Sequence, residues 1–362
     1  MNSLTTFQLG DIQLKNKIVM APMTRTRATN YIPNKLIAEY YGQRASAGLI
    51  ITEGTSPSAN GLGYPRIPGA YSDEQIQGWK DVADAVHAKG GKIFVQVMHT
   101  GRIAAQINMP EGATIMAPSA IQAAGQIFSE TGMEDHGMPK EMTKDDILKT
   151  QDEYVYASER LINEAGIDGV ELHAANGYLL DQFINPKSNQ RTDEYGGSIE
   201  NRNRFVIETA QKVADKVGEN KVGIRISPFG VYNDLQSDYE GVEETFIALA
   251  KELKNMGLVY MHIVVQEDSF GVTNARTDRQ LNLRKAIKNT FEGTVITGGN
   301  VSTIATADAV LNDGFDLAYV GRPYISNPDF IERLKNNVAL QAPNPETFFG
   351  MDAVGFTDYA FA

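Results

Sequence analysis

The stretch GVELHAANGY, residues 169–178, joins a short apolar run to a group of polar residues that follows it directly. Its first half, Gly169–His173, is apolar at most positions, as expected of a strand buried on both faces. Seven similar runs occur along the chain, separated by amphipathic stretches of helical period. The eight predicted strands are Lys17–Ala21, Leu49–Thr52, Lys92–Val97, Gly169–His173, Val222–Ile226, Val259–Val264, Thr294–Thr297 and Leu317–Val320. Eight strands that alternate with helices favour a closed parallel barrel over an open sheet, so we expect an α/β protein with a (β/α)8 TIM barrel.

Two segments lie outside this alternation. Phe7–Leu14 has the pattern of a small hairpin around Gly10-Asp11, which we expect to plug the lower end of the barrel. Residues 99–142, after the third strand, form a long connection rich in Gly, Pro and Ala. We expect an excursion that caps the active-site face, although a tolerated surface insertion fits the composition equally well. No linker divides the chain, so residues 1–362 are predicted to form a single domain.

Capping residues mark the starts of several helices. Ser72 begins a capping-box pattern, and Thr143 is a cap candidate before a long amphipathic stretch. Asn327 and Pro328 predict a cap and a first-turn proline before a helix at Phe330–Leu334.

Composition excludes several classes of function. No window approaches the roughly 20 continuous apolar residues of a membrane span, and the polar segment Met1–Asp11 lacks the pattern of a secretory signal. We therefore expect a cytoplasmic protein. The net charge of −12 repels phosphate backbones, so nucleic-acid binding is not expected. The absence of cysteine excludes disulfides, thiolate nucleophiles and cysteine-bound metal centres, and five scattered histidines do not suggest a metal site.

Polar residues concentrate where predicted strands end, which is where barrels of this kind place their active sites. Glu171 and His173 are two apart and share one face of the fourth strand. His173, Asn176 and Tyr178 can converge as two hydrogen-bond donors and a phenol around one substrate oxygen. A core histidine in a satisfied pair is the alternative, and the two further polar groups on the next turn favour a functional site.

Gln96 and Arg225 lie inside otherwise apolar strands. A buried amide must be hydrogen-bonded, so Gln96 needs a barrel neighbour or a ligand, and we favour the neighbour. A buried arginine needs a partner as well. Glu171 is one candidate partner for Arg225, and an anionic ligand is the other.

The last two strands end in Thr297–Asn300 and Val320–Pro323, and both ends contain glycine. Loops after the seventh and eighth strands commonly form the phosphate site of such barrels. Glycines let backbone N–H groups approach a phosphate, and Arg322 supplies a positive charge with two N–H groups that can bind the phosphate together. We favour a phosphate site over simple turn glycines with a surface arginine.

Several motifs together resemble the Old Yellow Enzyme family of FMN-dependent ene reductases. They are APMTR at 21–25, VQ at 95–96, HAANGYLLDQF at 173–183, RTDEYGGSIENR at 191–202, GGN at 298–300, GRP at 321–323 and TFF at 347–349. The resemblance runs from about Phe7 to Tyr359, and it is strongest to the N-ethylmaleimide reductase and xenobiotic reductase branch.

The resemblance implies a tightly bound FMN and a role for each residue around it. Arg322 and the Gly298–Asn300 loop would hold the phosphate, Gln96 the pyrimidine edge of the flavin, and Arg225 its N1 and C2 carbonyl region. Thr24 would hydrogen-bond the flavin O4. The full set implied to bind the cofactor is Pro22, Met23, Thr24, Gly54, Gln96, Arg225, Gly298, Gly299, Asn300, Gly321 and Arg322.

The resemblance also implies the reaction. NADPH or NADH delivers hydride to the flavin and leaves, and an α,β-unsaturated carbonyl or nitro compound takes its place in a ping-pong cycle. His173 and Asn176 hold the substrate oxygen, and Tyr178 gives a proton to Cα as the general acid. The alternatives are a non-redox phosphate-binding lyase or isomerase and a flavin-binding protein without turnover. The sequence leaves open the natural substrate (enone, quinone, nitro compound or electrophilic toxin), the coenzyme, and a monomer or homodimer.

Three residues depart from the family pattern. Met98 stands where many relatives have Trp, which should make the substrate wall more permissive because Met is flexible. Phe349 stands where relatives often have Tyr, which removes a hydroxyl from the substrate site. Gly54 replaces a small side chain, so we expect additional room beside the flavin.

Overall fold

The computed structural model describes residues 2–265 and 277–362. The strands in this part of the chain are β1 (Phe7–Leu9), β2 (Ile12–Leu14), β3 (Ile18–Met20), β4 (Leu49–Ile51), β5 (Ile93–Val97), β6 (Met116–Ala117), β7 (Gln126–Ser129), β8 (Gly132–Asp135), β9 (Lys140–Glu141), β10 (Gly169–Ala174), β11 (Val222–Ile226), β12 (Tyr260–Ile263), β13 (Thr294–Gly298) and β14 (Leu317–Val320). The α-helices are α1 (Lys35–Gln43), α2 (Asp73–His87), α3 (Lys144–Asn163), α4 (Leu179–Ile184), α5 (Ile199–Val217), α6 (Val242–Met256), α7 (Thr277–Phe291), α8 (Ile304–Asn312), α9 (Pro323–Ser326) and α10 (Phe330–Asn336).

Eight parallel strands close into a barrel in the order β3, β4, β5, β10, β11, β12, β13, β14, with β14 paired to β3. This confirms the predicted (β/α)8 fold, and every predicted strand is present. The register places His173 beside Arg225 and Glu171 beside Gln96. The polar residues of neighbouring strands therefore lie side by side.

The N-terminal hairpin fills one end of the barrel. Its strands β1 and β2 pair antiparallel around Gly10, whose φ is +50°. Leu9 and Leu14 are fully buried against barrel residues that include Val19 and Leu317. Burial of these apolar side chains stabilises the hairpin against the barrel.

The capping predictions have mixed outcomes. Ser72 forms a complete capping box with Gln75, and Thr143 forms one with Asp146. The cap predicted at Asn327 is wrong, because α10 begins after Asp329. Asn327 instead joins two segments: its side chain donates to the Pro323 carbonyl and accepts from the Gln341 backbone N–H.

The excursion of residues 99–142 packs beside the carboxyl ends of the barrel strands. It contains the hairpin β7–β8 and the short pair β6–β9. Apolar side chains of the excursion, including Ile103 and Ile127, pack against Tyr64 and Tyr178. Phe128 of β7 stacks on Phe349, with ring centroids 6.2 Å apart. The excursion thus contacts both the fourth-strand turn and the C-terminal segment.

Across residues 2–265 and 277–362, no helix combines the length and the apolar character that a bilayer crossing requires.

Candidate active site

A cavity of about 960 Å³ opens where several barrel strands end. This volume lies in the upper part of the range of about 300–1,000 Å³ that small-molecule sites occupy. Of the residues singled out from the sequence, those that line it are Pro22, Met23, Thr24, Asn176, Arg225, Gly299, Asn300, Gly321, Arg322 and Phe349. The others, Gly54, Gln96, Met98, His173, Tyr178 and Gly298, lie outside its lining.

One end of the cavity is formed by the segments after β13 and β14. Gly299 has a φ of +127°, which favours glycine. A side chain at Gly321 would project into open space, since the nearest atom is Met23 Sδ at 4.0 Å. A ligand can therefore approach the backbone there, next to Arg322. Gly298 has another function, because a Cβ at this position would collide with the Tyr319 backbone.

Gln96 is bonded to a barrel neighbour, as expected. Its Nε2 donates to Glu171 Oε1 at 2.7 Å. The other oxygen of Glu171 accepts from the Tyr260 hydroxyl at 3.1 Å and lies 2.9 Å from His262 Nδ1. Burial alone raises the pKa of Glu171, but His262, Arg225 and Gln96 outweigh burial and lower it. The Glu171 carboxyl is therefore ionised, and both of its oxygens have hydrogen-bond partners.

Arg225 is not paired with Glu171. No hydrogen bond or ion pair joins the two within the described chain, and Arg225 Nε is buried without a hydrogen-bond partner there. Arg225 lines the cavity. Glu171 therefore acts on Arg225 only through its charge, and the position of Arg225 at the cavity leaves it accessible to an anionic ligand.

His173 is buried beside Arg225 in the barrel. Burial, with the positive charges of Arg225 and His262, holds the pKa of His173 well below its usual value. The ring is therefore neutral at pH 7 and has one N–H to donate. Its Nδ1 has no hydrogen-bond partner among the described residues, which contradicts a satisfied core histidine.

Tyr178 lies next to His173, with ring centroids 5.1 Å apart. Its hydroxyl is 3.0 Å from the hydroxyl of Tyr64. Burial raises the pKa of Tyr178, so the phenol keeps its proton at neutral pH. The sequence gives no indication of a role for Tyr64, because this residue precedes a proline in a loop and belongs to no motif.

The loop after β3 is held in place by the buried carboxyl of Glu53. Glu53 Oε2 accepts from the backbone N–H groups of Arg25 at 3.1 Å and Thr26 at 3.4 Å. Burial raises the pKa of Glu53 to about 7. The loop presents Thr24 to the cavity, so Glu53 fixes the backbone that follows this hydroxyl.

Two buried arginines connect the same loop to the C-terminal segment. Arg25 donates to the carbonyls of Phe348 and Gly355, at 3.2 and 2.7 Å. Arg27 donates to the carbonyls of Thr347, Phe348, Asp352 and Val354. These bonds place Phe349, about half exposed, at the cavity wall.

The expectation of free space beside Gly54 is wrong. A Cβ on Gly54 would lie 2.5 Å from both Sδ and Cε of Met98. Met98 is buried and packs in a cluster with Leu62, Ile67 and nearby tyrosines. The flexible thioether fills the volume that the missing side chain leaves, so the two departures from the family pattern compensate each other.

Among the residues that the structure describes, no group of three or more His, Asp or Glu side chains is arranged to hold a metal ion.

Comparison with known proteins assigns this site to a family. Residues 4–341 match the profile of the NADH:flavin oxidoreductase / NADH oxidase family. The chain belongs to this family. A 12-oxophytodienoate reductase of Oryza sativa subsp. japonica, number 7, is 36% identical over 368 residues, covering 98% of this chain and 93% of that protein. A probable flavin mononucleotide-dependent alkene reductase of Leishmania infantum is 37% identical over 359 residues, covering 98% and 95%.

Solved structures of the family have the same fold. Morphinone reductase matches with a TM-score of 0.92 and 41% identity, covering 99% of this chain and 96% of that one. The old yellow enzyme homologue from Zymomonas mobilis matches with a TM-score of 0.92 and 36% identity, covering 99% of each chain. The predicted family, the barrel, FMN as the cofactor and the class of NAD(P)H-dependent ene reductase are thereby confirmed. The family assignment also decides against a non-redox lyase or isomerase.

Proposed function

We propose that this enzyme reduces the C=C bond of α,β-unsaturated carbonyl or nitro compounds, with His173 and Asn176 holding the substrate oxygen and Tyr178 donating the proton. The observation that carries the proposal is a group of buried polar atoms left without partners in the described chain. His173 Nδ1 and Arg225 Nε, which lie beside each other in the barrel, have none, and Asn176 lines the same cavity as Arg225. Buried polar groups are nearly always satisfied, so ligands supply what the protein does not.

The residues of the cavity fit FMN. Arg322 and the backbone at Gly299 and Gly321 would hold the phosphate. A glycine has no side chain that would keep the phosphate away from the backbone, and the space beside Gly321 is open. Arg225 and Thr24 would hold the polar edge of the ring, with Pro22 and Met23 packed against it. The other positions that the family resemblance implies act more indirectly: Gln96 is bonded to Glu171, Gly298 allows two strands to approach, and Gly54 accommodates Met98. When bound, FMN takes hydride from NADPH or NADH and supplies it to the substrate.

His173 and Asn176 can act as the oxygen-binding pair. A neutral imidazole donates one hydrogen bond, and the Asn176 amide donates another. Negative charge develops on the substrate oxygen during reduction, and donors fixed in a water-poor site stabilise that charge strongly. Arg225, beside His173, adds a positive field and also keeps the imidazole neutral.

Tyr178 is the proton donor in this proposal. Its phenol is protonated at neutral pH, and a protonated phenol can act as the general acid for a carbanion-like Cα. The Tyr64 hydroxyl, 3.0 Å away, can stabilise the phenolate that remains after transfer. Tyr64 is therefore a supporting residue that the sequence did not indicate.

We propose further that the substrates are largely apolar xenobiotic or electrophilic molecules. The side chains near Tyr178 are aromatic and aliphatic, with Met98 and Leu62 in one cluster and Ile103 and Ile127 in another. Phe349 at the wall adds apolar surface and no hydroxyl. In this proposal residues 99–142 cap the site of a single-domain enzyme.

The test is an anaerobic spectrum of the purified protein. We expect a yellow protein whose flavin absorbance is bleached by NADPH or NADH and restored by 2-cyclohexenone. Bleaching without restoration by enones, nitroalkenes or quinones would indicate a flavoprotein without ene turnover. Colourless protein that cannot be reconstituted with FMN would contradict the proposal.

The cellular setting is also a proposal. The net charge of −12 supports a protein that does not bind nucleic acid, and we propose a cytoplasmic monomer or homodimer that does not bind membrane. Cell fractionation and light scattering on the purified protein test the compartment and the oligomeric state.

A further inference from the structure

The turn that carries Asn176 has an unusual backbone. Asn176 has a φ of +57° and Gly177 a φ of +79°, so two successive residues occupy the left-handed region. L-residues rarely adopt this conformation, although Asn tolerates it better than most. A Cβ on Gly177 would lie 2.7 Å from the Cβ of Asn233, so glycine is needed there for space as well. Such a turn persists only where the surroundings hold it.

Each of the four backbone polar groups of these two residues is bonded to a side chain. The Asn176 N–H donates to Ser227 Oγ at 2.7 Å, and the Asn176 carbonyl accepts from Asn233 Nδ2 at 2.7 Å. The Gly177 N–H donates to Asp181 Oδ2 at 3.0 Å, and the Gly177 carbonyl accepts from Gln182 Nε2 at 2.7 Å.

Two of the four side chains are bonded to each other, and a third is bonded to the start of the excursion. Ser227 directly follows β11, and its hydroxyl donates to Asp181 Oδ2 at 2.9 Å. Asp181 and Gln182 lie on the short helix α4, and Gln182 also donates to the Thr100 carbonyl at the root of the excursion. Ser227, Asp181 and Gln182 are buried, so their bonds do not compete with bulk water.

We infer that Ser227, Asn233, Asp181 and Gln182 are positioning residues that fix the donors for the substrate oxygen. This inference rests on the proposed function of Asn176 and Tyr178. Asn176 Oδ1 has no hydrogen-bond partner in the described chain, so the side chain is oriented through its backbone rather than by a contact of its own. Tyr178 is the next residue after the turn, and the same bonds set the start of its backbone.

The experiment removes the hydroxyl that joins the turn to Asp181, at a residue outside the substrate site. Ser227→Ala leaves the Asn176 N–H without its acceptor, and Ser188→Ala is the matched control. Ser188 is an equally buried serine whose hydroxyl donates to the Gln182 carbonyl and does not touch the turn. The probe is 2-cyclohexenone added to the oxidised, FMN-loaded enzyme, which binds it without turnover, and the flavin spectrum reports the Kd.

We expect Ser227→Ala, which loses the bonds to the Asn176 N–H and to Asp181, to raise this Kd about tenfold or more, and Ser188→Ala to leave it within about twofold. FMN content should be unchanged in both. Asn233→Ala removes the bond to the Asn176 carbonyl and the side-chain hydrogen bond to the Tyr178 hydroxyl, and both losses should raise the Kd. Asp181→Ala, whose bonds are to the Gly177 N–H and Ser227, should act in the same direction and covers a failure of Ser227→Ala to fold. Asp181→Asn keeps an acceptor oxygen and should weaken binding less than Asp181→Ala.

Unchanged Kd values in Ser227→Ala and Asn233→Ala would overturn the inference, and so would equal weakening by Ser188→Ala. The proposed function fails differently, in the wild-type enzyme. A wild-type protein that binds FMN but does not reduce 2-cyclohexenone refutes that function before any variant is compared.

Discussion

The buried carboxyl of Glu53 makes stability depend on pH in a calculable way. Burial raises its pKa from 4.5 to about 7 in the folded protein. A raised carboxyl pKa means that folding favours the protonated form. The associated stability is therefore fully present below the unfolded pKa, near 4.5, and is lost as the pH rises through 7. Between pH 5 and pH 8 these values give a loss of about 2 to 3 kcal/mol.

Glu53→Gln removes this titration and keeps an oxygen for the backbone N–H groups of Arg25 and Thr26. The assay is the unfolding temperature at pH 5, 6, 7 and 8 with a fixed excess of FMN. For a chain of this size, about 2 to 3 kcal/mol corresponds to roughly 3 °C. We expect the wild-type temperature to fall about 3 °C more than that of Glu53→Gln across this range. Other titrating groups, including Asp181, are present in both proteins and cancel in the difference.

The control for the loss of one negative charge is Glu111→Gln, at an exposed turn position. It should follow the wild-type curve. Parallel curves for wild type and Glu53→Gln would refute the reasoning, as would a wild type that gains stability relative to the variant with rising pH.

Three further predictions concern the site. Tyr178→Phe should slow the oxidative half-reaction with 2-cyclohexenone by about 10²- to 10⁴-fold and leave flavin reduction by NADPH largely intact in stopped-flow traces; equal loss of both half-reactions would contradict the proton-donor role. Arg27→Ala removes the donor to four carbonyls in residues 347–354 and should speed limited proteolysis within that segment. An unchanged cleavage rate would show that Arg27 does not hold the segment in place. Gly54→Ala should displace the Met98 thioether and raise KM for bulky enones more than for small ones. Its effect should largely vanish in a Met98→Ala background, whereas additive effects would show that the two residues are independent.

The barrel was predictable because its strands are short, apolar and buried on both faces. That pattern is local, so it is visible in sequences such as Val222–Ile226, which the structure reproduces without change. The strand ends also locate the site, since all parallel strands of a barrel end on the same face. Asn176 and Arg225 were found in this way.

What the sequence did not provide are contacts between residues far apart in the chain. Tyr64 bonds to Tyr178 across 114 positions, and nothing in its own neighbourhood marks it. Met98 fills the space at Gly54, a relation that needs the distance between two strands. The Asn327 cap was wrong because its side chain found a distant partner in Gln341, which outweighed the local helix signal.

The attachment of Arg25 and Arg27 to residues 347–355 has a consequence for biosynthesis. The loop after the first barrel strand is made early, yet its arginines find their acceptors only in a segment made more than three hundred residues later. The barrel likewise closes only after β14 has been synthesised, because β14 pairs with β3. A nascent chain therefore cannot complete this wall of the cavity before residue 355 has emerged from the ribosome.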